Sequence, residues 1–108
     1  HNIIAVGVDD ASICKAINAI INVKGGISCV KKEEVTVLPL PVAGLMSTDD
    51  GYKVAEVYTA IDALAKSLGS SLSAPFMTLS FMALLVIPSL KLSDKGLFDG
   101  AKFGFLYK

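Results

Sequence analysis

The chain contains no arginine: all ten of its basic residues are lysines, balanced by ten acidic residues to a formal net charge of zero. Without a guanidinium there is no planar fork to grip a phosphate or carboxylate in two places, which weakens nucleotide-binding readings. The even charge balance leaves no basic footprint for nucleic acid. There is one histidine, His1, so a histidine-rich metal site cannot be built from this chain. The two cysteines, Cys14 and Cys29, form no CxxC pair and read as reduced, buried thiols of a cytosolic protein. Charged residues make up only 19% of the sequence. The N-terminus lacks a basic stretch leading into an apolar run with a cleavage site, so no signal peptide is expected. Opening on His1 rather than Met, the chain reads as a piece of something longer.

Its most abundant class is apolar, at 53% of 108 residues, above the usual share for a globular domain. The length suits one domain with one core, spanning 1–108. So much apolar material predicts either unusually complete burial or a face packed against another protein part.

The order of patterns is coarse but readable. "NIIAVGV", residues 2–8, is apolar on both alternating faces, as in a central strand covered on two sides. Asp9 and Asp10 then supply caps for a helix running to about Lys24, with Gly25 and Gly26 permitting a left-handed stop. "ISCVKKEEVTVL" reads as a hairpin about Lys32 and Glu33, ended by Pro39 and Pro41. "LPVAGLMS" is an apolar connection. A second helix is expected from about Asp49 to Leu68, capped by Ser47 or Thr48 and closed by Gly69. Residues 93–96 read as a turn, and 102–107 as a last short strand.

Residues 75–90, "PFMTLSFMALLVIPSL", pose the sharpest question. A membrane helix needs about 20 apolar residues, whereas Pro75 and Pro88 bracket only Phe76 to Ile87. The stretch is therefore expected to be a buried element, and the proline brackets with the closing Val86 and Ile87 favour a strand over a helix. One face would be covered by the two helices, the other by a neighbouring domain. The expected order is β-α-β-β-α-β-β, an α+β fold whose mainly antiparallel sheet of about five strands carries two helices.

Little in the chain looks like chemistry. Asp9-Asp10 and Asp49-Asp50 sit at helix starts, where capping explains them better than catalysis. Glu33-Glu34 reads as a solvated hairpin tip. "GVDDAS" has one glycine between strand and helix but no GxGxxG or GKS pattern. Ser70, Ser71, Ser73 and Ser80 lack a nucleophile elbow. No catalytic residue and no metal ligand is assigned, and the isolated chain is not expected to be a complete enzyme.

Several of these stretches together, "HNIIAVG", "LPLPVAGLMS" and "PFMTLSFMALLVIPSLKLSDKGL" with the closing "KF", resemble the C-terminal domain of bacterial and archaeal adenine deaminases, of the amidohydrolase superfamily. The resemblance covers essentially all 108 residues in order. One departure is the hairpin tip, where that family often has Asp-Gly and this chain has Lys32-Glu33.

The resemblance implies a larger enzyme with a (β/α)8 barrel, a small β domain and this C-terminal domain. Its metal centre, typically manganese or iron, would lie on the barrel and activate water to convert adenine to hypoxanthine and ammonia. It also implies a cytoplasmic enzyme of purine salvage and a homo-oligomer, with the barrel as this domain's partner and no cofactor in the chain itself. His1 and Asn2 match the end of the family's "HDSHN" and are candidates for a position near the parent active site. Pro41, Gly44, Leu45, Met46, Phe76, Met77 and Phe81 are candidates for a docking surface. The alternative functions are a free-standing small-ligand-binding or regulatory α/β module, and a homodimer built through the edge of the apolar strand.

Overall fold

The structure, a computed structural model, describes residues 2–107. Its elements are α1 (Asp10–Asn22), β1 (Gly26–Lys31), β2 (Glu34–Pro39), α2 (Gly51–Ser67), α3 (Pro75–Met82), β3 (Leu90–Ser93), β4 (Gly96–Asp99) and β5 (Gly104–Phe105). This is a mixed α+β chain whose five strands are all antiparallel. The strands form two small sheets, β1-β2 and β3-β4-β5, rather than one. The described residues divide into two compact units, 5–76 and 2–4 with 77–107.

In the first unit, the expected Asp9 cap is present. Asp9 accepts hydrogen bonds from the Ser12 amide at 2.8 Å and the Ser12 hydroxyl at 3.0 Å, satisfying donors that the helix start leaves free. The stop follows one residue earlier than the glycines: Lys24 already has φ 60°, and Gly25 continues at 121°. A Cβ on Gly25 would lie 2.5 Å from the Gly44 Cα, so only glycine allows the two backbones to meet.

The chain then enters the β1-β2 hairpin in full register from Gly26↔Pro39 to Lys31↔Glu34. Lys32, at the tip, takes the positive φ of 56° that Asn or Gly would adopt more easily. The Ser28 hydroxyl donates to the Ala16 carbonyl at 2.8 Å and joins β1 to α1. At the tip, Lys15 Nζ reaches Glu33 Oε2 at 2.7 Å.

Helix α2 is capped by Asp50, which accepts from the Lys53 amide at 3.3 Å, while Ser47 accepts from Asp49 N–H. The cap thus falls two or three residues later than expected, at the residue beside which the first helical amides open. α1 and α2 both pack on the hairpin. Cys29, Leu38 and Ile61 are its buried apolar side chains, and Ile61 is wholly enclosed.

In the second unit, the expected turn at 93–96 joins two strands that were not expected, β3 and β4, while the last strand, expected over 102–107, is only β5, Gly104–Phe105. Ser93 Oγ accepts from the Lys95 amide and donates to the Gly96 carbonyl. Phe98 is buried at the centre, meeting Phe103 and Phe105 edge to face at centroid distances of 5.7 and 5.2 Å.

Three expectations are corrected. Residues 2–8 join no strand ladder. Their strand-like composition is only a demand for a neighbour, and no described strand supplies one. Residues 75–82 form α3 rather than a strand. Pro75 stands at the first helical position, where its missing N–H costs nothing. Between Phe76 and Met82 only Thr78 is β-branched, and the β-branched pair Val86-Ile87 falls after the helix end. The helix total is therefore three. Cys14 is exposed on α1, whereas Cys29 is buried and its thiol pKa is raised by that burial.

Two measurements check this packing. Ile61→Ala is expected to destabilise the chain by about 2–5 kcal/mol and Ile61→Val by about 0.5–1.5 kcal/mol, read from urea unfolding midpoints. The Ser12 hydrogen bonds hold the Asp9 carboxyl below its ordinary pKa. Its contribution is therefore fully present above the unfolded-state carboxylate pKa and is lost as pH falls through the lowered folded value. Removing the carboxylate in Asp9→Ala should lower the melting temperature at neutral pH and flatten that part of its acid dependence, while Asp9→Ser keeps the cap.

Candidate functional site

The turn after β2 carries four of the seven candidate docking residues. Leu40 N–H donates to the Gly25 carbonyl at 3.1 Å, and a bridge between Val42 and Met46 closes the loop. Ala43 at φ 57° and Gly44 at φ 72° make the reversal. Gly44 faces Gly25 and is half-buried, so its part is structural. Pro41, Leu45 and Met46 are exposed, Leu45 to 61%. The loop is thus tied down by its backbone while its apolar side chains point to solvent.

Phe76, Met77 and Phe81 lie on α3. Phe76 is half-buried, whereas Met77 and Phe81 are exposed, as is Met82. The Ser80 hydroxyl donates back to the Met77 carbonyl at 2.6 Å. The helix is apolar around most of its circumference, a pattern that belongs to helices covered on more than one side.

Asn2 is exposed and its side-chain amide donates to the Ala83 carbonyl at 3.4 Å. His1 lies outside the described residues. Among the described residues no group of three or more His, Cys, Asp or Glu side chains could hold a metal. An open groove of about 520 Å³ runs along α1, bordered by Cys14, Lys15, Asn18 and Val35. Nothing in its lining pairs a nucleophile with a base.

Two features escape a reading of the sequence alone. Lys91 is buried, with Nζ donating to the Ile87 carbonyl at 2.8 Å and the Pro88 carbonyl at 3.2 Å. A lysine in an alternating strand ordinarily reads as the solvent side. Here the alternation is inverted: Lys91 and Phe98 share the covered face, while Leu90 and Leu92 project outward, Leu92 to 81% exposure. The apolar-polar-apolar spacing was visible, but the covered side was not.

With this geometry in hand, the comparisons with known proteins are informative. The family model for the adenine deaminase C-terminal domain matches residues 1–104. The chain is 63% identical over 107 residues to an adenine deaminase of Sulfurovum sp. (strain NBC37-1), 57% over 106 to one of Methanosarcina acetivorans, and 54% over 107 to one of Salinibacter ruber. Each match covers 98% of this chain and 19–20% of the relative. No solved structure matches. The chain belongs to the adenine deaminase C-terminal domain family, and it spans about a fifth of the length of the curated relatives it matches.

Exposed positions away from caps and hydrogen bonds tolerate change. Leu45→Glu and Met77→Glu are each expected to shift the unfolding free energy of the 108-residue chain by less than about 0.5 kcal/mol, measured by urea denaturation.

Proposed function

We propose that this chain is the non-catalytic C-terminal domain of an adenine deaminase, a hydrolase that converts adenine and water to hypoxanthine and ammonia. The observation that carries the reading is the near-complete match to the family, with 63% identity to an adenine deaminase five times as long. The described residues do not fit a metal, since no ligand cluster forms among them. The proposal therefore places the manganese or iron centre, and the water it activates, in the barrel domain of the longer protein. Purine salvage in the cytoplasm and a homo-oligomeric parent belong to the same proposal.

The domain's part in it is docking. Pro41, Leu45 and Met46 on one turn, and Phe76, Met77 and Phe81 on α3, are the side chains proposed to meet the barrel domain or a second subunit. Burial against such a partner explains why a charged replacement would be tolerated in this chain and not in the parent. His1 and Asn2 stand nearest the preceding domains in sequence and are proposed to approach the active site. A homodimer through a strand edge at 76–87 is not proposed, because helix α3 occupies the start of that stretch.

The test is ammonia release from adenine by the 108-residue chain and by the longer protein that carries it. The longer protein should turn adenine over and the chain alone should not. Turnover by the chain alone would overturn the non-catalytic role, and a longer protein inactive on adenine would overturn the parent activity. Leu45→Glu and Met77→Glu in the longer protein should lower its melting temperature. An unchanged melting temperature would remove those residues from the docking surface.

A further inference from the structure

Residues 2–8 are the segment whose sequence and surroundings agree least. The stretch "NIIAVGV" carries no charge and no proline, and between Ile3 and Val8 every side chain is apolar, Gly7 having none. That composition belongs to a strand with neighbours on each side and cover above and below. In the structure residues 2–4 group with 77–107, Asn2 donating to the Ala83 carbonyl and Ile4 half-buried, but no strand pairs with any part of 2–8 and residues 5–8 are uncovered. Val6 is 82% exposed, Val8 is fully exposed, and Ala5 and Gly7 are exposed as well. Among the described residues, no backbone hydrogen bond outside the helices and strands involves residues 2–8. Backbone amides and carbonyls of an apolar segment require partners wherever water is excluded, so the segment's bonding capacity is entirely unspent.

One end of it is nevertheless held in place. Asp9 caps α1 immediately after Val8, and Gly7 lies so close to Ile13 that a Cβ there would fall 2.6 Å from Cγ1. The segment therefore leaves a fixed helix start through a bend at Val8 and Asp9 and runs on without regular structure of its own. In the relatives the match covers about a fifth of the length and the matched family is a C-terminal one, so most of each relative precedes the part that aligns with this segment.

We infer that residues 3–8 form a β-strand in the longer protein, paired through the main chain with a strand supplied by the preceding part of the same polypeptide. Main-chain hydrogen bonds would give this junction its strength, and the uncharged side chains on both faces would be covered by the same neighbour. The inference rests on the reading of this chain as the C-terminal domain of a longer enzyme, and it adds the element that joins the two.

Hydrogen exchange of the longer protein, followed by mass spectrometry on peptides covering residues 3–8, tests the pairing. These amides should exchange at least about 100-fold more slowly than an unstructured peptide of the same sequence. Exchange at the unstructured rate would overturn the inference. The partner is read by placing a photo-crosslinking benzoylphenylalanine at Val6. Crosslinks to residues preceding this domain support the inference. Crosslinks to β1 or β2, or protection that disappears on dilution because it comes from a second copy, overturn it. Neither readout depends on turnover. A longer protein that is inactive on adenine but protected at 3–8 refutes the activity alone, and an active one with free exchange there refutes the strand alone.

Discussion

The β1-β2 hairpin is the surface on which the larger part of the chain is organised. Two six-residue strands in unbroken register cannot hold themselves together in water, since an isolated hairpin is marginal at best. What holds them is that α1 and α2 both lie against them. The Ser28–Ala16 hydrogen bond and the wholly buried Ile61 fix each helix to that ladder. The loops follow from this arrangement. Gly25 must approach Gly44 because the chain leaves α1 and returns after β2 at the same place, and the turn that presents Leu45 and Met46 is seated by that contact.

The buried core of the two units taken together is small for the composition. Four apolar side chains fall below a tenth exposure among the described residues, in a chain that is 53% hydrophobic. Apolar surface left in water forfeits roughly 25 cal/mol for each Å² that could have been covered. A domain evolving to stand alone would be expected to place polar residues at positions such as Leu45, Val6, Leu92 and Met77. Their retention fits a chain whose remaining surface is completed by a larger protein, and relatives five times as long are consistent with that.

The sequence made some elements plain and hid others for physical reasons. α1, the hairpin and α2 were legible because local chemistry decides them: acidic caps, helical spacing, a β-branched ladder and glycine stops all act within a few residues. The α2 cap was misplaced between Ser47 and Thr48 because several adjacent residues can each accept from a free amide, and only the backbone path selects Asp50. Residues 75–82 were misread because an apolar run has no period to betray it, and a proline bracket suits a strand edge as well as a helix start. The stretch at 41–46 is legible as an apolar connection, but that Gly44 serves the Gly25 contact could be seen only with the loop closed. Lys91 was hidden most deeply, since its burial depends on carbonyls of Ile87 and Pro88 that no spacing rule points to.

The unpaired start at residues 2–8 and the buried Lys91 show the same limit from opposite sides. A strand-forming sequence specifies a strand only when another strand is present, because its hydrogen bonds are made between segments rather than within one. A helix carries its own bonds, and so α1 begins sharply at Asp10 while residues 2–8, ahead of its cap, join no strand. An ammonium group can be buried where the fold supplies acceptors, as Ile87 and Pro88 do for Lys91. In both cases the residue's own preference sets what is needed, and the neighbour sets what is formed. For this chain the neighbours of β1, β2 and Lys91 lie among the described residues, whereas no described strand pairs with residues 2–8. The strand inferred for residues 3–8 would supply that missing pairing at the amino-terminal edge of the domain, immediately ahead of the cap that starts its first helix.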